Sequence, residues 1–348
     1  MKIKLVLITA LVLGFVSCEN QENIVSDYGS TSVFFPYQTP VRTLVQGEYD
    51  LGFNDNDNNG RFEIGVVMSG VFENQIDRKV YFEYAPELID TLAMADVDTI
   101  NVQLLPPSYY TIEQQSPVTI PVGSVQGRIP VQLTDAFFDD PLSIGPFGDV
   151  HYVLPLKITD IVGLDSILTG IPLVDNPNKI RSEDWNPAPK DYTLFGVKFM
   201  NKYQGKYLRR GVDQMTNAAG ETVSSIYRAD YVVEDEVITL STSGRHNVSL
   251  SNIVRRDQLS SPGNVNLELA FDDNGNCTIS SFEDDAYNVS GAGKFVVDGD
   301  EWGGSKRDVI HLDYTYTDAV NNETHAVKDT LVLRNRDVKF EEFTLELN

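Results

Sequence analysis

The chain has 348 residues, 51 acidic against 27 basic, for a formal charge of −24 at pH 7. So acidic a chain repels nucleic acid and anionic lipid surfaces, which excludes nucleic acid as a partner and leaves any membrane contact to an anchor. Two cysteines exclude a disulfide framework, while 41% hydrophobic and 10% aromatic residues suffice to build a core over this length.

In chain order, Lys2 and Lys4 precede an apolar run from Leu5 to Val16, and Ser17 stands before Cys18. This is the charged and apolar layout of a secretory signal. Its apolar run, about a dozen residues, falls short of the ~20 that span a bilayer. A small residue before a cysteine, as in Phe15-Val16-Ser17-Cys18, is what lipoprotein signal peptidase requires. Residues 1–17 are therefore read as a lipoprotein signal, Cys18 as the lipidation site, and residues 18–27 as anchor and tether. Loss of Lys2 and Lys4 takes the charge to 25 − 51 = −26 and leaves Cys277 as the one remaining thiol. Following the Asp273-Asn274-Gly275 turn, Cys277 reads as a buried strand residue. The polar start Glu19-Asn20-Gln21-Glu22-Asn23 resembles the tethers of Bacteroidetes lipoproteins sent to the outer face of the cell, which implies an outer-membrane protein facing the exterior.

From Tyr28 to Ile161, short β-runs alternate with turn chemistry: Ser32–Phe35, Arg61–Val67, Arg78–Tyr84, Tyr109–Ile112, Val118–Val122, Arg128–Leu133 and Tyr152–Ile158. This predicts an all-β domain over 28–161, an immunoglobulin-like sandwich. Pro86–Ala95, with Leu88 and Leu92 on one face, predicts a short connecting helix, and Pro121, Pro130 and Pro155 predict edges or bulges. The stretch LPPSYYTIEQQSPVTIPVGSVQGRIPVQLTD (105–135) resembles the closing half of a sandwich domain of unknown function in Bacteroidetes surface lipoproteins.

Residues 162–190 read as linker and elbow, stiffened by Pro187 and Pro189 and joined by Trp185, which is expected to lock two domains together. Beyond it, alternating runs predict about ten further strands, beginning with Leu194–Met200, and suit an antiparallel barrel over 191–348, with a second open sandwich as the alternative. Ile310, Leu312, Tyr314 and Tyr316 share one face there, His311, Asp313 and Thr315 the other. DWNPAPKDYTLFGVKFMNKYQGKYLRRG (184–211), DDNGNCTIS (272–280), SGAGKF (290–295) and KDTLVLRNR (328–336) resemble the C-terminal domain of the same lipoproteins. That resemblance implies a lipocalin- or calycin-like barrel and company with SusC/SusD-type glycan import systems.

Candidate chemistry is sparse. Asp55, Asp57 and Asn59 offer alternating oxygens for Ca2+, but the bidentate glutamate of a full loop would fall at Val66, and a plain polar turn explains the run as well. Gly293-Lys294 lacks the spacing and hydroxyl of a phosphate loop. His151, His246, His311 and His325 are scattered, and no hydrolase motif is present, so no catalytic residue is assigned and no cofactor is implied. Lys198, Lys202, Lys206, Arg209 and Arg210 form one dense basic cluster, suited to an anion site or to a salt-bridged exterior. Trp302 among glycines and acids, Trp185 in the elbow and Tyr207 on a strand are the ligand-binding candidates, because sugar C–H faces stack on aromatic rings. Together these readings point to a non-catalytic surface lipoprotein binding a glycan or glycoprotein beside an import complex. An adhesive protein with a protein partner, or a glycoside-acting enzyme, are the alternatives.

Overall fold

The computed structural model describes residues 27–49, 52–89, 102–255, 263–282 and 287–344. The expected signal and lipidation site Cys18, most of the expected tether, and residues 90–95 of the expected helix lie outside the described residues. Strands dominate in two connected units, a two-sheet sandwich followed by a closed antiparallel barrel.

The sandwich strands are β1 (Ser32–Phe34), β2 (Pro40–Val45), β3 (Arg61–Ser69), β4 (Arg78–Tyr84), β5 (Gln103–Leu104), β6 (Tyr110–Ile112), β7 (Val118–Ile120), β8 (Gln126–Leu133), β9 (Tyr152–Val162), β10 (Ser166–Ile167) and β11 (Tyr192–Met200). One sheet runs β10-β1-β3-β8-β6; the other runs β2-β11-β9-β4-β7, with β5 on β9. Period-two alternation places Phe62, Ile64, Val66 and Met68 of β3 on the inner face, against Leu154, Leu156, Val197 and Phe199 of the facing sheet. Burial of each such side chain contributes about 1.5–3 kcal/mol.

Four expectations are corrected, the last of them in the elbow. Tyr192–Met200 does not open the barrel. It lies between β2, parallel (Gly196↔Val41), and β9, antiparallel (Tyr192↔Lys157), and is buried on both faces. Its second face, with Tyr192 and Leu194, packs against Val41, Leu88, Ile89, Val153 and Phe343. The sandwich thus extends to Met200 rather than ending at Ile161. Alternation identifies a strand but not its sheet, and the deciding partner, β2, lies far back in the chain. The helical stretch is a 3-10 turn, Pro86–Ile89, in its described part. Pro130 and Pro155 sit in central strands, yet their carbonyls accept from Glu113 and Ala85, each just past the end of a neighbouring short strand. The nitrogen of the same residue faces the same side, so each missing N–H falls where the ladder has stopped.

The elbow folds back onto the sandwich rather than hinging two domains. β10 pairs with β1, the Phe35 N–H donates to the Lys190 carbonyl (2.8 Å), and Lys190 N–H donates to Leu168 (2.7 Å).

The barrel strands are β12 (Gly205–Thr216), β13 (Thr222–Tyr227), β14 (Glu236–Thr242), β15 (Asn247–Ile253), β16 (Asn264–Phe271), β17 (Asn276–Ser281), β18 (Ser290–Trp302), β19 (Ser305–Asp318) and β20 (Glu323–Asn335). From β14 each strand pairs with the next, and pairing of β12 with β20 closes eight strands, so the wall has no free edge. β13 pairs with the second half of β12 alone and stands outside the closed ring.

Apolar and aromatic side chains pack together inside the barrel. Tyr203, Tyr207, Leu250, Leu267, Leu269, Ile310, Leu312, Tyr314 and Tyr316 meet there, as the β19 alternation predicted. Deeper polarity is paired: Arg209 Nη2 and Nε reach Asp329 Oδ2 (2.7 and 3.1 Å), Arg209 also donates to Asn252, and Asn252 donates to the Tyr314 hydroxyl (3.0 Å). Toward one end, His325 Nδ1 lies 3.0 Å from Asp213, with Tyr316 stacked on the imidazole. Gly291 and Gly293 of the Ser290–Phe295 motif oppose Tyr314 and Leu312. A Cβ at Gly291 would collide with the Tyr314 Cβ and the Asp313 carbonyl, so the glycines are there for close strand approach.

After β20 the chain returns to the sandwich, where β21 (Glu341–Glu342) pairs with β2 and Phe343 is buried. Buried Glu341 accepts from Lys198 Nζ (2.7 Å), the Thr43 hydroxyl (2.9 Å) and the Gly148 N–H (2.7 Å). Arg336 donates to the Asn201 carbonyl (2.7 Å), and Arg245 of the barrel pairs with Asp135 (2.5 Å) and Asp139 (2.9 Å) of the sandwich. Two chain crossings and these contacts join the units.

Candidate functional site

The structure does not bring the predicted ligand residues together. Trp302 ends β18 opposite Ser305 across the turn Gly303-Gly304, whose φ angles of 65° and 76° only glycine adopts freely. Its half-buried ring packs on Leu208, Val309 and Val332 of the outer wall, with the Arg307 guanidinium 5.1 Å from the ring centroid. Trp185 serves its own loop: Nε1 donates to the Asn178 carbonyl (2.8 Å) and its backbone bridges to Pro172. Tyr207 is wholly buried, its hydroxyl donating to the Tyr203 carbonyl (2.8 Å).

The acidic turn forms a short helix, Asp55–Asn58, whose polar groups hold the end of β2. Asp57 is buried, one oxygen paired with Arg42 and the other accepting from the Val45 N–H (2.9 Å). Asn58 accepts from Gly47 (2.7 Å), and Asn59 donates to the Asp55 carbonyl (2.8 Å). Protein partners thus take up both carboxylate oxygens of Asp57, the central residue of the three expected to ligate Ca2+. Among the described residues, no three of His, Cys, Asp and Glu converge on a metal position. The basic cluster is dispersed as well: Lys198 pins Glu341, Lys206 pairs with Asp337 (2.9 Å), Arg209 points into the barrel and Arg210 pairs outside with Asp235 (2.6 Å).

A different site emerges where the returning tail crosses the sandwich. A cleft of about 430 Å3 opens beside β2 and is lined by Phe35, Tyr37, Tyr49, Phe195 and Phe340. Tyr37 and Phe340 are 47% and 63% exposed, with ring centroids 5.1 Å apart, so they present aromatic faces to solvent at the rim. Phe195 is steadied from behind by stacking on Phe62 (5.4 Å). The polar lining is sparse: Arg42, Thr43, Gln126, Thr193 and Lys339. Thr193 is 1% exposed, and its buried hydroxyl has no hydrogen-bond partner among the described residues. Burying a hydroxyl without a partner costs about 1–3 kcal/mol, so its position in the lining is a chemical signal. The volume and the mix of aromatic walls with few polar groups match small-ligand pockets, about 300–1,000 Å3. Across the tail, a second cavity of about 550 Å3 lies between sandwich and barrel, sharing Thr43, Val338 and Lys339 with the first.

Comparisons with known proteins follow the same two units. Residues 202–337 match the family model of a domain of unknown function, DUF5627, and residues 28–165 match the model of an N-terminal domain family. A crystal structure of a protein of unknown function from Bacteroides ovatus is 35% identical and superposes with a TM-score of 0.84, covering 92% of this chain and 100% of that one. The chain belongs to the family of that Bacteroides ovatus protein. Such coverage gives the family both domains and the junction between them. Weaker likeness extends to an auxiliary nutrient binding protein from Bacteroides thetaiotaomicron, 13% identical, TM-score 0.38, covering 84% of this chain and 90% of that one. A multidomain protein including DUF1735 from Bacteroides ovatus stands at 13% and 0.38, covering 88% and 97%. No curated protein matches the sequence.

For this member of the family, sequence reasoning missed every residue of the cleft. The cleft is assembled from β2, β3, β8, β11, the β1–β2 loop and the tail, and no local pattern announces such a meeting. The one available hint was Phe35-Pro36-Tyr37, where a tyrosine follows a proline outside any strand.

Proposed function

We propose that the protein binds a neutral glycan, free or on a glycoprotein, at the aromatic cleft beside β2, and does so without catalysis. The observation that carries this reading is the unpartnered Thr193 hydroxyl in a cleft rimmed by Tyr37 and Phe340. Sugar rings offer C–H faces for the aromatics and hydroxyls for Thr193, Gln126 and Arg42. No aspartate or glutamate is among the described residues lining the cleft, whereas glycoside hydrolysis needs two carboxylates across the scissile bond. The lipobox at Cys18 and the polar tether support display on a membrane surface, and a tethered, non-catalytic binder suits a place beside a SusC/SusD-type import complex.

A protein partner is the second reading, favoured by one observation: Ile171, Leu173 and Val174 are 59%, 61% and 47% exposed along a single stretch of the linker. Contiguous apolar exposure of this kind marks interaction surfaces.

Native gels cast with a panel of neutral polysaccharides separate the two. Retardation of residues 19–348 by one glycan, lost in Tyr37→Ala and Phe340→Ala but kept in Trp302→Phe, supports cleft binding. Retardation unchanged in both cleft variants rejects the cleft. No retardation at all shifts the assignment to a protein partner. Palmitate labelling in bacterial cells, abolished by Cys18→Ala, tests the anchor.

A further inference from the structure

A second site lies on the outer wall of the barrel. Strand register aligns outward-facing residues of five adjacent strands in one row: Lys294 on β18 opposes His311 on β19, His311 opposes Thr330 on β20, and Thr330 opposes Arg210 on β12. Arg228 continues the row, because it follows Tyr227, the β13 partner of Gly211. At about 4.8 Å per strand, the row spans roughly 19 Å. The next row reads Ala292, Asp313, Lys328, Val212 and Ile226. These residues line a shallow concavity of about 810 Å3, one side of which is β13, the strand outside the closed ring.

The charges here are only partly answered. Lys294 Nζ is held by neutral acceptors, the Asn274 carbonyl (2.7 Å) and Asn276 Oδ1 (2.9 Å). Arg228 is exposed and has no hydrogen bond or ion pair among the described residues. Arg210 pairs through Nε with Asp235, but its buried Nη2 has no hydrogen-bond partner. Lys328 pairs with Asp313 (3.1 Å). A chain of net charge −24 therefore gathers Lys294, Arg210, Arg228 and Lys328 on one face. Its carboxylates are Asp313, Asp329, which pairs inward with Arg209, Asp235 on Arg210, and Asp272 beside Lys294. Such a face concentrates cations that the rest of the chain lacks.

We infer that this concavity binds a sulfated or carboxylated polysaccharide chain laid across the strands. Cations spread along a row suit charges spaced along a polymer; a single compact anion would need donors converging on one point. The second row supplies an apolar strip, Ala292, Val212 and Ile226, for sugar C–H faces. Nucleic acid fits less well, since no Phe, Tyr or Trp is among the described residues lining the concavity to stack on bases, and the overall charge repels its dense backbone.

Affinity gels of residues 19–348, which keep every described residue, test this with heparin, polygalacturonate, single-stranded DNA and dextran. The expected result is retardation by heparin or polygalacturonate that fades as salt rises. It should be lost in Lys294→Glu/Arg228→Glu, with the thermal midpoint unchanged, and kept in Tyr37→Ala, which keeps the outcome separate from that of the cleft. Retardation that survives the double variant, no retardation of the unaltered chain by either polyanionic glycan, or equal retardation by DNA would each overturn the inference.

Discussion

Substitution of Arg209 by methionine gives the sharpest test of how the barrel is held. The Arg209 and Asp329 side chains are 2% and 0% exposed, and the guanidinium reaches the carboxylate through two nitrogens. Without Arg209, Asp329 keeps the hydroxyls of Tyr227 and Tyr314, but among the described residues its charge has no ion-pair partner. Removing one member of a buried pair costs about 3–5 kcal/mol, because the partner stays buried and uncompensated. For a unit of this size that lowers the thermal midpoint by roughly 10–20 °C. Arg209→Met/Asp329→Asn removes both charges and should recover most of the loss, since the desolvation penalty disappears along with the attraction. Thermal unfolding followed by near-ultraviolet circular dichroism reads this directly through the buried tyrosines. A single variant within 1 °C of the unaltered chain, or a double variant no better than the single, would refute the reasoning.

Other consequences follow from named contacts. Gly291→Ala forces a Cβ into the Tyr314 Cβ and the Asp313 carbonyl, and should cost about 1–3 kcal/mol in urea unfolding, whereas Gly303→Ala at the open hairpin tip costs through its positive φ alone. Burial pushes the Cys277 thiol up to about 12, so it should resist a thiol reagent in the native state and react fully in denaturant. For Asp140, burial acts to raise the carboxyl, but the Tyr152 hydroxyl (2.6 Å), the Leu142 N–H (2.9 Å) and the Tyr109 hydroxyl (2.8 Å) outweigh it and hold it below its ordinary 3.8. A lowered carboxylate stabilises the fold above its unfolded value and loses that contribution as pH falls through the folded one. Asp140→Asn should therefore lower stability at pH 7 and flatten its decline below about pH 4; an identical pH profile would contradict the assignment.

Much of the architecture was legible because strand alternation is a local property. The β19 run could be divided into inner Tyr314 and Tyr316 and outer His311 and Asp313 from spacing alone, and the structure places them so. Sheet membership was not legible. Tyr192–Met200 has the same local character as a barrel strand, and only its pairing with β2 and β9 assigns it to the sandwich. The site was the least legible part. Trp302 sits among glycines and acids as an exposed ligand residue would, yet the tight Gly303-Gly304 turn lays its ring on Leu208 and Val332. Thr193 is one of many threonines in sequence. Its significance comes from burial without a partner, which only tertiary structure creates.

The most direct test of the central claim is a crystal structure of the chain with whichever neutral glycan retards it in gels. The expected result is a sugar ring against Tyr37 or Phe340 and a sugar hydroxyl within hydrogen-bonding distance of Thr193 Oγ1. Glycan bound at Trp302 or on the barrel wall, with the cleft beside β2 unchanged, would contradict it.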